Sequence, residues 1–87
     1  MSKERLKQLH LTVRNREGIL FEGEVVSISG VNVKGKFDVL PLHGNFIALL
    51  DQELVVRKLD KSEERIKVPR GVLKVVANKV EVLVGVG

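Results

Sequence analysis

The sequence predicts an all-β protein, a two-sheet antiparallel β-sandwich of about eight to ten short strands, and three observations carry that prediction. Sixteen of the 87 residues are valine, whose branched side chain is stiff at χ1 and suits a pleated, half-buried surface better than a helix. Apolar and polar residues alternate with a period of two in segments such as Leu9–Val13, the mark of a strand with one dry and one wet face. Turn-forming clusters separate these segments at about every eight to twelve positions, a spacing typical of sandwiches and barrels.

The first strand sets Leu9, Leu11 and Val13 against His10, Thr12 and Arg14. Asn15-Arg16-Glu17-Gly18 supplies turn chemistry, with Gly18 able to take positive φ. A long β stretch follows from Ile19 to Val33, and its inward parity shifts around Glu24–Val26 and again at Ser29–Gly30. In a straight strand a one-residue shift would turn the wrong face inward, so each shift marks a bulge or a bend. Such bends are expected where a chain passes from one sheet to another. Lys34-Gly35-Lys36 reads as a loop, Phe37–Leu40 as a short strand ended by Pro41, and Leu42–Asn45 as irregular.

Phe46–Leu50 is a continuous apolar run, consistent with a strand buried on both faces. Leu54–Leu59 and Arg65–Val68 flank Asp60-Lys61-Ser62-Glu63, a hairpin loop, and Pro69-Arg70-Gly71 forms the next turn. Val72–Ala77 and Val80–Val86 flank Asn78-Lys79, a tight hairpin in which Asn tolerates the left-handed conformation. Residues 1–8 read as a flexible N-terminal tail and 9–87 as one domain.

Composition narrows the function. A chain this short buries only about 60–65% of the surface its unfolded form exposes, so its core is thin. With no cysteine, neither disulfides nor thiolate-held metal can supplement that core. The formal charge of +4 could suit an acidic partner. However, the basic residues are interspersed with Glu22, Glu24, Glu53, Glu63 and Glu64, the pattern of a mixed, solvated surface. The charged start of the chain is not a secretory signal, and no run approaches the ~18 apolar residues of a membrane span. The expectation is a soluble, cytoplasmic protein that reaches a membrane only through partners.

Residues able to do chemistry are sparse. Hydroxyls are confined to Ser2, Ser27, Ser29, Ser62 and Thr12. His10 falls on the polar parity of its strand, and His43 stands in a loop with Asp38 as its closest carboxylate, too little for a metal site or a nucleophilic triad. Single glycines between strands do not make a phosphate loop. Three Phe, all at positions that read as core, and no Trp or Tyr leave no stacking platform for nucleic acid. No catalytic, cofactor or metal site is therefore expected. Two alternatives are open. Leu59-Asp60-Lys61-Ser62 with Ile66-Lys67-Val68-Pro69 looks like the lysine-bearing hairpin of lipoyl carrier domains, centred here on Lys61. A free-standing basic β module is the other.

Taken in order, the segments from Leu9 to Val84 resemble the N-terminal β-sandwich of the epsilon subunit of F-type ATP synthases. The resemblance lies in Leu9-His10-Leu11-Thr12-Val13, in Gly18-Ile19-Leu20-Phe21-Glu22-Gly23, in the central stretch GKFDVLPLHGNFIALL, and in the closing Gly71-Val72-Leu73 and Asn78-Lys79-Val80-Glu81-Val82-Leu83. Lys36 stands where that family has an acid, Asp38 where it has a glycine, and Leu42 where a glycine precedes the histidine. The Pro41-x-His43-x-x-Phe46 spacing is similar to that of the alternate, sodium-type ATPases. The family's C-terminal helical hairpin has no counterpart before Gly87, so its regulatory and ATP-binding roles are not expected here. The resemblance implies a non-catalytic central-stalk part without cofactor, coupling the gamma subunit to the membrane rotor ring on the inner face of the cell membrane. It nominates Lys36, Asp38, Leu42, His43 and Asn45 as subunit contacts, with an acidic or neutral rotor loop facing Lys36.

Overall fold

The computed structural model describes residues 8–42 and 44–85, so residues 1–7 of the expected tail, the nominated His43, and Val86 and Gly87 lie outside the described residues. Eight strands are present, and no helix occurs among the described residues. They are β1 (Leu9–Asn15), β2 (Gly18–Asn32), β3 (Gly35–Val39), β4 (Phe46–Leu50), β5 (Glu53–Lys58), β6 (Glu63–Lys67), β7 (Gly71–Val76) and β8 (Lys79–Val84).

The expected two layers form, and one strand belongs to both. Hydrogen bonding runs in the order β4-β7-β8-β1-β2-β5-β6, with β3 on the free side of β2. The first half of β2 pairs with β1, from Asn15↔Gly18 to Leu9↔Val25. Its second half pairs with β5 (Ser27↔Arg57 to Gly30↔Leu54) and with β3 (Ile28↔Val39 to Asn32↔Gly35). The change of partner coincides with a register shift between Val25 and Ser27, which leaves Val26 exposed between two buried neighbours. This is the first bulge the parity predicts: an extra residue kinks the strand and increases its twist.

The second predicted irregularity, at Ser29–Gly30, is absent, since pairing with β3 runs unbroken through both residues. Parity there misleads because both faces are covered. Ile28 and Gly30 face the core, while Ser27 and Ser29 are buried on the opposite face beneath polar side chains. Gly30 makes room for its neighbours: a Cβ on it would meet Phe37 Cζ at 2.5 Å and Leu50 Cδ2 at 2.6 Å.

One pairing departs from the antiparallel expectation. β1 and β8, the first and last of the described strands, lie parallel, from His10↔Lys79 to Arg14↔Leu83. Strands far apart in sequence are not restricted to the antiparallel geometry of a hairpin. The β7–β8 hairpin turns one residue earlier than expected, at Ala77 (φ 50°) and Asn78 (φ 64°). Two successive left-handed residues make the type I′ turn that matches strand twist. β3 likewise starts earlier, because only Val33 and Lys34 are needed for its turn.

Between the layers, Leu9, Leu11, Val13, Leu73, Val75, Val80 and Val82 meet Val25, Ile28, Val39, Leu54 and Val56, all at most 2% exposed. Full burial of each such side chain contributes about 1.5–3 kcal/mol. Phe21, Phe37 and Phe46 pack against this cluster, as their positions predict.

Candidate functional site

β3 is a free edge of the second layer. Its alternation sends Phe37 and Val39 to the core and the nominated Lys36 and Asp38 outward. Asp38 is exposed, yet its carboxylate is tied to the sheet by a hydrogen bond. Ser29 Oγ donates to Asp38 Oδ1 at 2.5 Å, while Arg57 Nη1 donates to Ser29 Oγ at 2.9 Å and to Ser27 Oγ at 3.3 Å. Arg57 Nε also lies 3.2 Å from Glu63 Oε2. A polar chain thus crosses β3, β2, β5 and β6 and supplies partners for two buried hydroxyls that would otherwise be costly. The Ser29 hydroxyl, helped by Lys36 and Arg57, holds the Asp38 carboxyl below its ordinary range. At neutral pH it is an anion committed to its own sheet.

The chain then leaves the second layer through residues 40–45 and enters the first at β4. Asparagine side chains fasten this crossing to the β7–β8 turn. Leu42 N donates to Asn78 Oδ1 at 2.8 Å, and Ala77 N donates to Asn45 Oδ1 at 2.9 Å. Leu42 takes a left-handed backbone, φ 64°, and leaves its side chain 69% exposed. A branched side chain there costs about 1–2 kcal/mol. The conformation also explains why a glycine suits this place in the family the sequence resembles.

Four of the five nominated residues therefore fall in two groups, Lys36 with Asp38 on the second layer and Leu42 with Asn45 against the first. Asp38 and Asn45 hold structure, whereas Lys36 and Leu42 point away from it.

Sequence reasoning missed the surface beside this loop. β4 is not buried on both faces. It is an edge strand bonded to β7 alone, with Ile47 and Leu49 each 67% exposed. A five-residue apolar run has two physical origins, enclosure on both sides or one core face and one uncovered face, and periodicity cannot separate them. The neighbouring Asn32–Lys34 and Pro69–Val72 segments, together with β4, enclose an open groove of about 830 Å³.

Elsewhere the outer surfaces are charged and paired across strands. Arg14–Glu81, Lys58–Glu64 and Arg65–Glu53 lie within 2.7–3.1 Å, a mixed surface rather than a basic stripe. His10 lies between Glu24 (2.9 Å from Nδ1) and Glu22 (3.6 Å from Nε2). Hydrogen bonding to Glu24, with smaller help from Glu22, raises its pKa. Its two nitrogens face different carboxylates, which is a salt-bridge arrangement, and no metal-binding group of His, Asp or Glu occurs among the described residues. Lys61, the carrier candidate, sits at φ 72° in the β5–β6 turn. Its N–H donates to Lys58 O, and Asp60 accepts from Ser62 N and Oγ.

Residues 8–86 match the family described as ATP synthase, Delta/Epsilon chain, beta-sandwich domain. The chain is 34% identical over 80 residues to the ATP synthase epsilon chain of Sulfurimonas denitrificans, an alignment covering 91% of this chain and 62% of the relative. It is 33% identical over 75 residues to the Helicobacter pylori (strain HPAG1) epsilon chain, covering 86% and 61%. The chain thus spans less than two thirds of the length of these relatives. Its fold is similar to chains in the cryo-EM structures of the mitochondrial ATP synthase of Euglena gracilis (TM-score 0.83, 18% identity, 90% of this chain and 51% of that one) and of the Tetrahymena thermophila central stalk and c-ring (TM-score 0.70, 14% identity, 87% and 62%).

Proposed function

This chain belongs to the family of β-sandwich domains of ATP synthase delta and epsilon chains, and on that premise we propose that it is a non-catalytic central-stalk part of a rotary ATPase. In this reading it couples a gamma subunit to the membrane rotor ring and sits at the inner face of the membrane through those partners alone. The observation that carries the reading is the family match from residue 8 to residue 86, essentially the whole described fold. The geometry supports a passive mechanical task. The core is apolar throughout, β2 ties the two layers, and asparagine side chains brace the exposed 40–45 crossing. Lys36, Leu42 and His43 are the contacts proposed for the partners, with Asp38 and Asn45 presenting them. The Pro41-x-His43-x-x-Phe46 spacing favours assignment to the sodium-type variant.

The test is affinity purification of the tagged chain from its native cell, followed by ion-pumping measurements on membranes lacking it. Co-purification of alpha, beta and gamma subunits is expected, with ATP-driven pumping at least about tenfold below wild type while ATP hydrolysis persists. A chain that purifies free of those subunits, or membranes that pump normally without it, would overturn the reading.

A further inference from the structure

Free strand edges invite pairing with another chain, and proteins blunt them with charge, proline or cover. Charge protects an edge from a second copy of itself only where the pairing register sets like charges opposite one another. β6 is protected in this way. Lys58 N on Ser62 O and Val68 N on Gln52 O leave the backbone groups of Glu63, Arg65 and Lys67 facing outward. Antiparallel self-pairing through those groups sets Arg65 against Arg65, Glu64 against Glu64, or Arg65 against Lys67. The free side of the first half of β2 carries only the acids Glu22 and Glu24. β4 is uncharged, but the end of β2 covers its far end, where Asn32 Nδ2 donates to Leu49 O at 2.9 Å.

β3 differs from all three. Val31 O accepts from Asp51 N, so Val31 turns its backbone groups away from β3 and the Val31↔Lys36 pair exchanges no hydrogen bonds. Alternation then directs the backbone groups of Gly35, Phe37 and Val39 to β2, and the N–H and C=O of Lys36 and Asp38 to the open side. The Lys36 and Asp38 side chains are exposed on the outer face, while Phe37, on the inner face, is only half-buried. One oxygen of Asp38 accepts from Ser29 Oγ, and the other is left for a cation. The edge therefore reads cation, aromatic, anion, a sequence complementary to its own reverse.

We propose that β3 pairs with β3 of a second copy of this chain, antiparallel about a two-fold axis at Phe37, joining two second layers into one continuous sheet. In this register Lys36 lies opposite Asp38 of the second copy, and Asp38 opposite its Lys36, each pair exchanging both N–H···O bonds. Opposite charges thus meet on both sides of the axis. The two Phe37 residues face each other as the closer, non-hydrogen-bonded pair, and each covers the other's exposed part. A slip in either direction brings Lys36 onto Lys36 or Asp38 onto Asp38, so the charges fix the register. The seam is short, and the dimer it makes is weak and reversible. Pairing does not depend on the coupling role, although a paired copy hides Lys36 from any other partner.

The test is sedimentation equilibrium of the full 87-residue chain over a wide range of concentration, with amide exchange followed by NMR. The parent chain is expected to pass from monomer to dimer as concentration rises, with the Lys36 and Asp38 amides becoming protected and added salt weakening the dimer. Lys36→Glu alone and Asp38→Lys alone each set like charges across the seam and should weaken self-association at least about tenfold. Mixed together, the two variants should form a heterodimer of near-parental affinity, because every acid then faces a lysine. Recovery on mixing separates a charge match from a damaged fold. Lys36→Arg keeps the charge and should dimerise as the parent does, which supplies the comparison with Lys36→Glu if Asp38→Lys does not fold. A parent chain that stays monomeric at every concentration would overturn the pairing. So would a dimer that Lys36→Glu leaves equally tight, or folded variants that gain nothing on mixing.

Discussion

Asn78 takes the left-handed position of a hairpin turn and uses the same side chain to accept the Leu42 N–H at 2.8 Å. One residue thus closes the β7–β8 hairpin and anchors a loop that lies 36 positions away in sequence. The two tasks are separable. Asn78→Gly keeps the left-handed backbone and loses only the anchor, costing about 0.5–1.5 kcal/mol. Asn78→Ala loses both and should cost about 1 kcal/mol more. Urea unfolding of both variants against the parent chain separates the two terms, and an Asn78→Gly variant as stable as the parent would show that the side-chain bond contributes nothing.

Leu42 holds a left-handed backbone that glycine would adopt without strain. Leu42→Gly is expected to raise stability by about 0.5–1 kcal/mol, the relief of strain less the added chain entropy of glycine. If this leucine is a subunit contact, the same variant assembles more weakly although it melts higher. Thermal melts of the isolated chain and yield of the assembled complex measure the two effects.

The core leaves little tolerance where β2 meets β3 and β4. Gly30→Ala drives a methyl into Phe37 and Leu50 and should cost about 1–3 kcal/mol. Both obstacles are side chains, so Phe37→Leu introduced alongside should recover part of the loss. Gly71→Ala meets the Leu83 carbonyl oxygen at 2.8 Å as well as Val68 Cγ1 at 2.6 Å. Since a backbone atom cannot rotate away, no single side-chain reduction rescues that variant.

Arg57 joins Ser27, Ser29 and Glu63 through two different nitrogens. Arg57→Ala leaves buried hydroxyls short of a donor and is expected to cost about 1–3 kcal/mol. Lys has one point-like donor group and cannot reproduce the fork, so Arg57→Lys should recover less than half of the loss. Chemical unfolding of both variants provides the comparison.

Asp38 and His10 give stability opposite pH dependences. The folded-state pKa of Asp38 is lowered by the Ser29 hydroxyl, so its contribution is present above the unfolded value of about 3.9 and is lost as pH falls through the folded value. His10 is raised by Glu24 and Glu22, so its contribution is complete below the unfolded value of about 6.5 and is lost as pH rises through the folded value. Melting temperature against pH should flatten on the acid side in Asp38→Asn and above about pH 6.5 in His10→Gln. Both groups are exposed, so the effects are small and fall further with salt.

The layering and the bulge were legible because they depend on alternation, which one burying face enforces residue by residue. Leu9, Leu11 and Val13 stand inside as their period requires, and the misphase near Val26 is the extra residue itself. Ser29 and Gly30 misled because hydroxyls buried under Arg57 look, in sequence, like a change of face. The parallel β1–β8 pair was out of reach, since no local pattern encodes which distant strand becomes a neighbour. At the nominated loop, residue types pointed to the right segment but not to their tasks. An outward asparagine and one braced against a turn are identical in sequence, and the exposure of Ile47 and Leu49 depends on β4 having one neighbour instead of two.

The passage of β2 through both layers has a mechanical corollary. Two sheets held only by apolar contact can slide, because such contact has no preferred direction. Here any relative displacement must stretch or unzip a continuous peptide chain near Val26, so the sandwich resists shear as a stitched fabric does.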